Sequence, residues 1–314
     1  NARRNLDLYR HKICTFNDDI QGTGVVTLAA VLAAIKASNS TLADQTIVIF
    51  GAGTAGVGIA DQICDAMVRE GIDYEKARRS FYLLDRSGVL SESSTTISAE
   101  QRKYARSPDE LAKWTRKDPN INSLEDAVRN VHPTILIGSS ASPGAFTETI
   151  IKEMAAHVER PIIFPLSNPT EKSEAKPVDL IHWTRGKALI ATGSPFPPVE
   201  YNGKLIPIAQ CNNALVYPGI GLGVIAIKAK YVSDDMLWAA CQTAANCSPI
   251  LRDPNDALLP PFDKAPDLSK EIAAAVAQKA IDEGLATVDD KKTVEELIDE
   301  IMWEPHYLPY RKLR

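Results

Sequence analysis

Two adjacent carboxylates, Asp18 and Asp19, stand in a short polar stretch, FNDDIQGT, which runs from Phe16 to Thr23. In an extended loop neighbouring side chains point to opposite sides, so one carboxylate should face a cleft and the other the protein. Carboxylates beside a binding crevice suit a hard divalent cation. One or two ligands do not complete such a site, so the others must come from elsewhere. The alternative is a helix cap next to a solvated surface acid.

A glycine-rich segment carries a second kind of chemistry, the binding of phosphate. The spacing GxGxxG is formed by Gly51, Ala52, Gly53, Thr54, Ala55 and Gly56. The first glycine allows a sharp turn, the second lets the backbone approach a pyrophosphate, and the third lets a helix lie close to a strand. The N terminus of that helix offers free N–H groups and the positive end of a dipole. We predict a dinucleotide site here, the alternative being an ordinary glycine turn.

The next apolar run, Ser80 to Asp85, reads as a strand that ends in a carboxylate. A dinucleotide-binding fold places an acid at this point to bind the ribose 2′-hydroxyl. Asp85 lies further along the chain than the usual spacing of ~20 residues, so the crossover must be long. Its charge should repel a 2′-phosphate, whereas Arg86 and the nearby Arg102 and Lys103 could neutralise one. On balance we expect NAD rather than NADP.

Amide side chains recur at the predicted ends of later strands. These stretches are Asn168-Pro-Thr170, Thr192-Gly-Ser-Pro-Phe196 and Gln210-Cys-Asn-Asn213. Ligands of an open α/β sheet bind beyond the carboxyl ends of its strands, and amides donate to and accept from carboxylates and carboxamides. Each stretch alone has the alternative of a turn or a cap. Three at one sheet edge favour a ligand site that includes Asn168, Asn212 and Asn213.

The elements that must hold these residues predict an α/β fold. Runs typical of buried strands occupy residues 46–50, 80–85, 134–138, 161–167 and 188–193 and alternate with helical patterns. This alternation predicts a Rossmann-like, doubly wound parallel sheet with helices on both faces, followed by a helical C-terminal extension. We divide the chain into a helical lead-in carrying the FNDDIQGT loop (1–40), an NAD-binding domain (41–230) and an extension packed on that domain (231–314).

Composition excludes some classes of function. The chain has 314 residues with a net charge of −5, which argues against nucleic acid or an anionic membrane as partner. No apolar run approaches the ~20 residues that span a bilayer. Five scattered cysteines without a CxxC motif are typical of reduced thiols in an intracellular compartment. His132, His157 and His182 have no partner at metal-ligand spacing, and we interpret them as surface or helix-end residues.

The motifs resemble those of malic enzymes, in the same order along nearly the whole chain. They are CTFNDDIQGT at 14–23, GAGTAG at 51–56, PLSNPT at 165–170, ATGSPF at 191–196 and QCNN at 210–213. The resemblance implies the C-terminal, NAD-binding portion of an enzyme that oxidises L-malate at C2 and decarboxylates the product to pyruvate, using NAD(P)⁺ and Mg²⁺ or Mn²⁺. Malolactic enzyme, the near relative, tends to lack the Ser-Pro-Phe found here at 194–196, which favours a malic enzyme.

The resemblance also implies roles for single residues. Asp19 would be the metal ligand beside the cofactor, and Asp18 would support the catalytic network. Asn168, Asn212 and Asn213 would contact malate, with Asn168 also at the nicotinamide. Residues 51–56, Asp85 and Arg86 would hold NAD. The metal would chelate the hydroxyl and carboxylate of malate, lower the pKa of the hydroxyl and stabilise the enolate left by CO₂.

The chain opens at Asn1 within a helical pattern, so we expect a piece of a longer protein. The resemblance implies that the catalytic tyrosine, the catalytic lysine and two acidic metal ligands lie upstream, and that this piece alone is inactive. Three functions stay open: a malic enzyme, a malolactic enzyme that forms lactate and CO₂, and a non-catalytic NAD-binding module. We expect L-malate as ligand, no nucleic acid or membrane partner, and a homo-oligomeric full-length enzyme in the cytoplasm, or in the mitochondrial matrix of a eukaryote.

Overall fold

A computed structural model of the chain describes residues 2–288, 291–303, 307, 309 and 310. The strands are β1 (Ile47–Phe50), β2 (Phe81–Asp85), β3 (Gly88–Val89), β4 (Ile135–Gly138), β5 (Ile162–Pro165), β6 (Leu189–Thr192), β7 (Val199–Tyr201), β8 (Lys204–Ile206) and β9 (Ala209–Gln210). The helices are α1 (Ala2–Tyr9), α2 (Thr23–Ala37), α3 (Thr54–Arg69), α4 (Tyr74–Arg78), α5 (Ala99–Arg102), α6 (Pro108–Leu111), α7 (Leu124–Val131), α8 (Glu148–His157), α9 (Pro177–Trp183), α10 (Tyr217–Ala226), α11 (Asp234–Asn246), α12 (Ala265–Asp282) and α13 (Val294–Ile301). A π-helical turn, Asp18–Gly22, precedes α2, and 3₁₀ turns lie at Leu42–Asp44, Thr170–Lys172, Asn213–Leu215, Pro249–Leu251 and Phe262–Lys264.

The main sheet has the strand order β3-β2-β1-β4-β5-β6-β9. Its strands run parallel from β2 to β9, and the short β3 is antiparallel to β2. The chain moves outward from β1 to β2 and then returns to the other side of β1 at β4, so a topological switch point lies between β1 and β4. The predicted Rossmann-like fold is confirmed. The hairpin formed by β7 and β8 was not predicted from the sequence.

Alternate residues of the central strands pack into two separate hydrophobic cores, one on each face of the sheet. Ile47 and Ile49 pack with the core that includes α2, α3, α10, α11 and α12. Val48 between them packs with the core that includes α7, α8 and α9. Both faces of β1 are therefore dry, which explains why its sequence is a continuous β-branched run rather than an alternating one.

The stretch Asp18–Ala37 is a 20-residue helical segment that is long and apolar enough to cross a membrane by length and composition. The expectation that no apolar run approaches this length is wrong, because the polar π turn interrupts the apolar sequence without interrupting the helix. Most of the segment is buried within the protein. It packs against α3 and α11, so its apolar side chains form core contacts.

The described part of residues 231–314 is helical, as the fold prediction required. Helix α12 packs along α10 and α11, and α13 contacts both α10 and α12. Helix α2, which the sequence assigned to a separate lead-in, shares the core of α11 and α12. The exact domain boundaries stay a prediction, and residues 1, 289, 290, 304–306, 308 and 311–314 lie outside the described residues.

Candidate active site

The glycine turn between β1 and α3 is closely packed at its outer glycines and open at its middle one. The N–H groups of Gly51 and Ala52 both donate to the Leu84 carbonyl, at 2.8 and 2.9 Å. A Cβ at Gly51 would overlap the Ser139 backbone, and Gly51 has a φ of +118°. A Cβ at Gly56 would overlap the Gly51 carbonyl, whereas one at Gly53 would meet nothing within 4 Å. Gly51 and Gly56 are therefore needed for close packing of the turn, whereas Gly53 leaves open space at the N terminus of α3.

A cavity of about 840 Å³ opens at this turn and is lined by Ala52, Gly53 and Thr54. Gln101 closes one side, because its Nε2 donates to the Ala52 carbonyl at 2.7 Å. Its Oε1 in turn accepts from the Ser98 N–H at 2.8 Å, which holds the side chain at the start of α5. The polar segment between β2 and β4 therefore returns to the glycine turn at Gln101. Gln101 lies about where NADP-preferring relatives in the family that the chain resembles carry a lysine, and its hydrogen bond places it at the glycine turn.

Asp85 lies at the end of β2, immediately after the Leu84 carbonyl that the glycine turn binds. Its Oδ1 accepts from the Ser87 N–H at 2.7 Å and from the Ser87 hydroxyl at 2.6 Å. The carboxylate is half-buried, and Arg86 beside it is exposed. This is the position that the sequence predicted for the ribose-binding acid, although the ribose contact itself stays a prediction.

The predicted asparagines lie along the same sheet edge but have different partners. Asn168, which follows β5, is exposed, and its Oδ1 accepts from the Ser194 hydroxyl beyond β6. The Nδ2 of Asn213, beyond β9, donates to the carboxylate of Asp18. The Oδ1 of Asn212 accepts from the Ala214 N–H at 2.9 Å and so caps a 3₁₀ turn. The cap alternative is thus realised at Asn212, while Asn213 links the sheet edge to the aspartate pair.

The aspartate pair does not lie in an extended loop. Asp18 and Asp19 open the π turn, so the inference that their side chains point to opposite sides rested on the wrong backbone conformation. The cap of this turn is Asn17, whose side chain accepts from the Ile20 N–H at 2.9 Å, so neither aspartate is the cap. Asp18 is half-buried and Asp19 is exposed. The geometry therefore gives the two carboxylates different surroundings.

The surroundings of Asp18 fit a cation. Its Oδ1 is buried, and no hydrogen-bond donor among the described residues reaches it. Burial, followed by the charge of Asp19, raises the pKa of Asp18 above its ordinary value. A divalent cation beside the pair would relieve both effects, since it supplies positive charge where two carboxylates repel each other. The donor set is oxygen only, which suits Mg²⁺ or Mn²⁺.

A fully buried glutamate, Glu174, ties two loops of the site together and was missed by sequence reasoning. Its Oε1 accepts from the Ser140 N–H and hydroxyl, both at 2.8 Å, and from the Ser167 hydroxyl. Ser140 follows β4 and Ser167 precedes Asn168 after β5. The sequence does show a serine at or just after the end of each of two predicted strands. No local pattern, however, indicates that both serines bind Glu174. Glu174 thus anchors the backbone that carries Asn168.

We expect Glu174→Ala to lower the free energy of unfolding by about 2–4 kcal/mol, because it leaves buried N–H and hydroxyl donors unpaired. Glu171→Ala, in the adjacent exposed 3₁₀ turn, is the matched control and should change it by less than about 0.5 kcal/mol. Urea unfolding measures both. Equal midpoints for the two variants would show that the Glu174 cluster contributes nothing to stability.

The comparison with known proteins gives the family. Residues 20–281 match the family described as malic enzyme, NAD binding domain. The chain belongs to this malic enzyme family. The NAD-dependent malic enzyme of Vibrio campbellii is 49% identical over 312 residues, which cover 99% of this chain and 55% of that protein. NAD-dependent malic enzyme 3 of Bacillus subtilis is 49% identical over 314 residues, again covering 55% of the relative.

Solved malic enzymes share the fold. The crystal structure of Entamoeba histolytica malic enzyme matches with a TM-score of 0.71 and 26% identity, over 94% of this chain and 55% of that one. The malic enzyme from Pyrococcus horikoshii matches with a TM-score of 0.69 at 22% identity, over 94% of this chain and 61% of that one. The predicted resemblance to malic enzymes and the predicted NAD-binding domain are confirmed. The chain spans about half the length of the curated relatives it matches.

Proposed function

We propose that this chain is the NAD-binding portion of an enzyme that converts L-malate to pyruvate and CO₂ with reduction of NAD⁺. The observation that carries the proposal is the row of polar groups along one sheet edge. This row begins at Asp85 and the glycine turn and ends at the Asp18–Asn213 pair. The relatives that match over nearly the whole chain are NAD-dependent malic enzymes, which supports this assignment.

We assign cofactor binding and malate binding to opposite ends of the carboxyl edge of the sheet. From β2 to β9 it crosses β1, β4, β5 and β6, which at ~4.8 Å per strand is a span of about 24 Å. The adenosine and pyrophosphate of NAD belong at the β2–β1 end, at Asp85 and the N terminus of α3. The nicotinamide then extends across the switch point towards Asn168. Malate belongs beyond it, near Asn213 and Asp18.

Oxidation of malate moves a hydride from its C2 to the nicotinamide, so the protein must hold those two groups in contact. Asn168 is held by the Ser194 hydroxyl and can orient the nicotinamide or a malate carboxylate through its amide. Asn213 holds Asp18 in place. A divalent cation bound at Asp19 with ligands from outside this chain would supply Lewis acidity to the hydroxyl and carboxylate of malate.

The Ser-Pro-Phe segment at 194–196 favours a malic over a malolactic enzyme by resemblance. Ser194 belongs to the Ser-Pro-Phe segment that malolactic enzymes tend to lack, and its hydroxyl donates to Asn168. A chain with another residue at this position would leave the Asn168 amide without this anchor.

Two assays test the proposal. The 314-residue chain should bind NADH in a fluorescence titration without producing NADH from malate, and the longer protein should produce NADH and pyruvate in equal amounts. Lactate without free NADH would establish the malolactic alternative. Binding of NADH by a longer protein that never turns over malate would establish the non-catalytic module. Steady turnover by the 314 residues alone would overturn the inference that they are inactive by themselves.

We expect NAD⁺ to bind at least tenfold more tightly than NADP⁺, because the Asp85 carboxylate accepts from a 2′-hydroxyl and repels a 2′-phosphate. Asp85→Asn should narrow the preference by strengthening NADP⁺ binding. Asp109→Asn, on the exposed face of α6, is the charge-matched control and should leave both affinities unchanged. The dissociation constants of NADH and NADPH report the result. Equal affinities in the unmodified chain would mean that the charge of Arg86 outweighs that of Asp85.

A further inference from the structure

Two histidines and a glutamate meet on the surface far from the proposed active site. His132, Glu153 and His157 each offer a ligand atom, and the three atoms lie within 4.8 Å of one another. The expectation that these histidines have no partner at metal-ligand spacing is wrong for His157, because Glu153 lies four residues before it on α8. The packing of α7 against α8 brings together groups that lie 25 residues apart in the chain. Only the meeting of His132 with the other two residues is decided by the tertiary structure.

Both helices present their ligands at their C-terminal ends. Glu153 and His157 are four residues apart on the last turns of α8, where such residues share one face. The Nε2 of His157 lies 3.3 Å from the Glu153 carboxylate. His132 follows α7 in the left-handed conformation, with φ 46° and ψ 61°, and its ring lies over that of His157 with centroids 3.7 Å apart.

The cluster has the ligands that zinc prefers. Two imidazoles and one carboxylate are the donor set of many zinc sites, with bonds of about 2.0–2.2 Å. In a tetrahedral site such bonds place the ligand atoms about 3.3–3.6 Å apart, so the two stacked rings must separate and the side chains must rotate for the three atoms to bind one ion. His157 and Glu153 keep 41% and 37% of their side-chain surface exposed, which leaves solvent-filled space for these movements. A fourth position would remain for water.

The location separates this cluster from the site of malate chemistry. His132 lies just before β4, and His157 lies just before β5. Both are therefore at the amino ends of parallel strands, opposite the carboxyl edge that carries the glycine turn, Asn168 and Asp18. The donor set also differs, since the aspartate pair offers only oxygen and suits a harder ion.

We propose that His132, Glu153 and His157 form a zinc-class metal site that joins the C-terminal ends of α7 and α8. A metal bound there links two helices of the same core, so it stabilises the folded state. The cluster needs no residue from outside the chain for these three ligands. The proposal is independent of the reaction that the full-length enzyme performs.

Calorimetric titration of the untagged, metal-free 314-residue chain with Zn²⁺ tests the site. We expect one equivalent to bind and to raise the melting temperature. His132→Ala and His157→Ala should each weaken that binding at least tenfold and abolish the rise in melting temperature. Two controls should bind as the unmodified chain does: His182→Ala, a histidine whose Nδ1 bonds the Val178 carbonyl at 2.7 Å, and Asp19→Asn at the other candidate metal site.

Glu153→Gln provides a third ligand variant that retains the shape of the side chain, and circular dichroism confirms that each variant is folded. Cobalt substitution gives a spectroscopic check, because Co²⁺ in a tetrahedral site with nitrogen ligands absorbs strongly in the visible range. The absence of stoichiometric Zn²⁺ binding would overturn the proposal. Equal binding by the His132 and His182 variants, or loss of binding only in Asp19→Asn, would overturn it as well.

Discussion

In an enzyme that joins this chain to the upstream half proposed above, Asp19→Asn should lower malate turnover at least 100-fold while leaving NADH binding nearly unchanged. Asparagine retains the shape of the side chain and one oxygen, so the π turn should survive. It removes a full negative charge from a hard cation, whose Lewis acidity is worth several kcal/mol in such reactions, and about 2.7 kcal/mol corresponds to 100-fold. The pyrophosphate is held elsewhere, at the glycine turn, so cofactor binding is a separate readout.

Asp18→Asn is the matched variant because it removes the same charge from the neighbouring position. Asparagine at 18 still offers an oxygen to the Asn213 amide, which donates to Asp18 in the unmodified protein. We therefore expect a smaller loss of Mn²⁺ affinity than in Asp19→Asn, and raising Mn²⁺ should restore little turnover to the latter. The measurement is the Mn²⁺ dissociation constant of each variant beside its NADH titration. A larger loss of metal affinity in Asp18→Asn would mean that the two roles are reversed.

We expect Gly53→Val to impair NADH binding and Gly56→Val to impair stability. The backbone of Gly53 has φ −78°, which any residue adopts, and a Cβ there meets nothing within 4 Å. Gly53→Val should therefore fold normally but weaken NADH binding at least tenfold, because the side chain occupies the space for the pyrophosphate. Gly56→Val should unfold more easily by about 3 kcal/mol, because its Cβ would overlap the Gly51 carbonyl.

Urea unfolding and NADH titration of both variants separate these effects. Gly221→Val is the control, since a Cβ at this glycine of α10 also meets nothing within 4 Å and the residue is remote from the turn. It should leave NADH binding unchanged and alter stability by less than about 1 kcal/mol. If Gly53→Val bound NADH as tightly as the control, the pyrophosphate would not lie at this turn.

Local physics explains how much of this protein the sequence determined. The strand, the glycine turn and the helix from Thr46 to Arg69 could be predicted because each step depends on neighbouring residues: β-branched packing, free φ at Gly51 and the 3.6-residue period of α3. The position of Asp85 at the end of β2 could be predicted from the same strand–helix–strand unit. The strand–helix alternation then predicted the parallel sheet, since parallel neighbours require helical crossovers.

The tertiary structure alone decided which distant groups meet. Asp18 and Asn213 are 195 residues apart, and Gln101 lies 49 residues from the Ala52 carbonyl that it binds. Glu174 looks like any surface acid in the sequence, and only the approach of β4 and β5 buries it between two serines. The histidine pair of α7 and α8 is of the same kind. Such contacts arise from the packing of whole elements, and no local pattern of residue types encodes them.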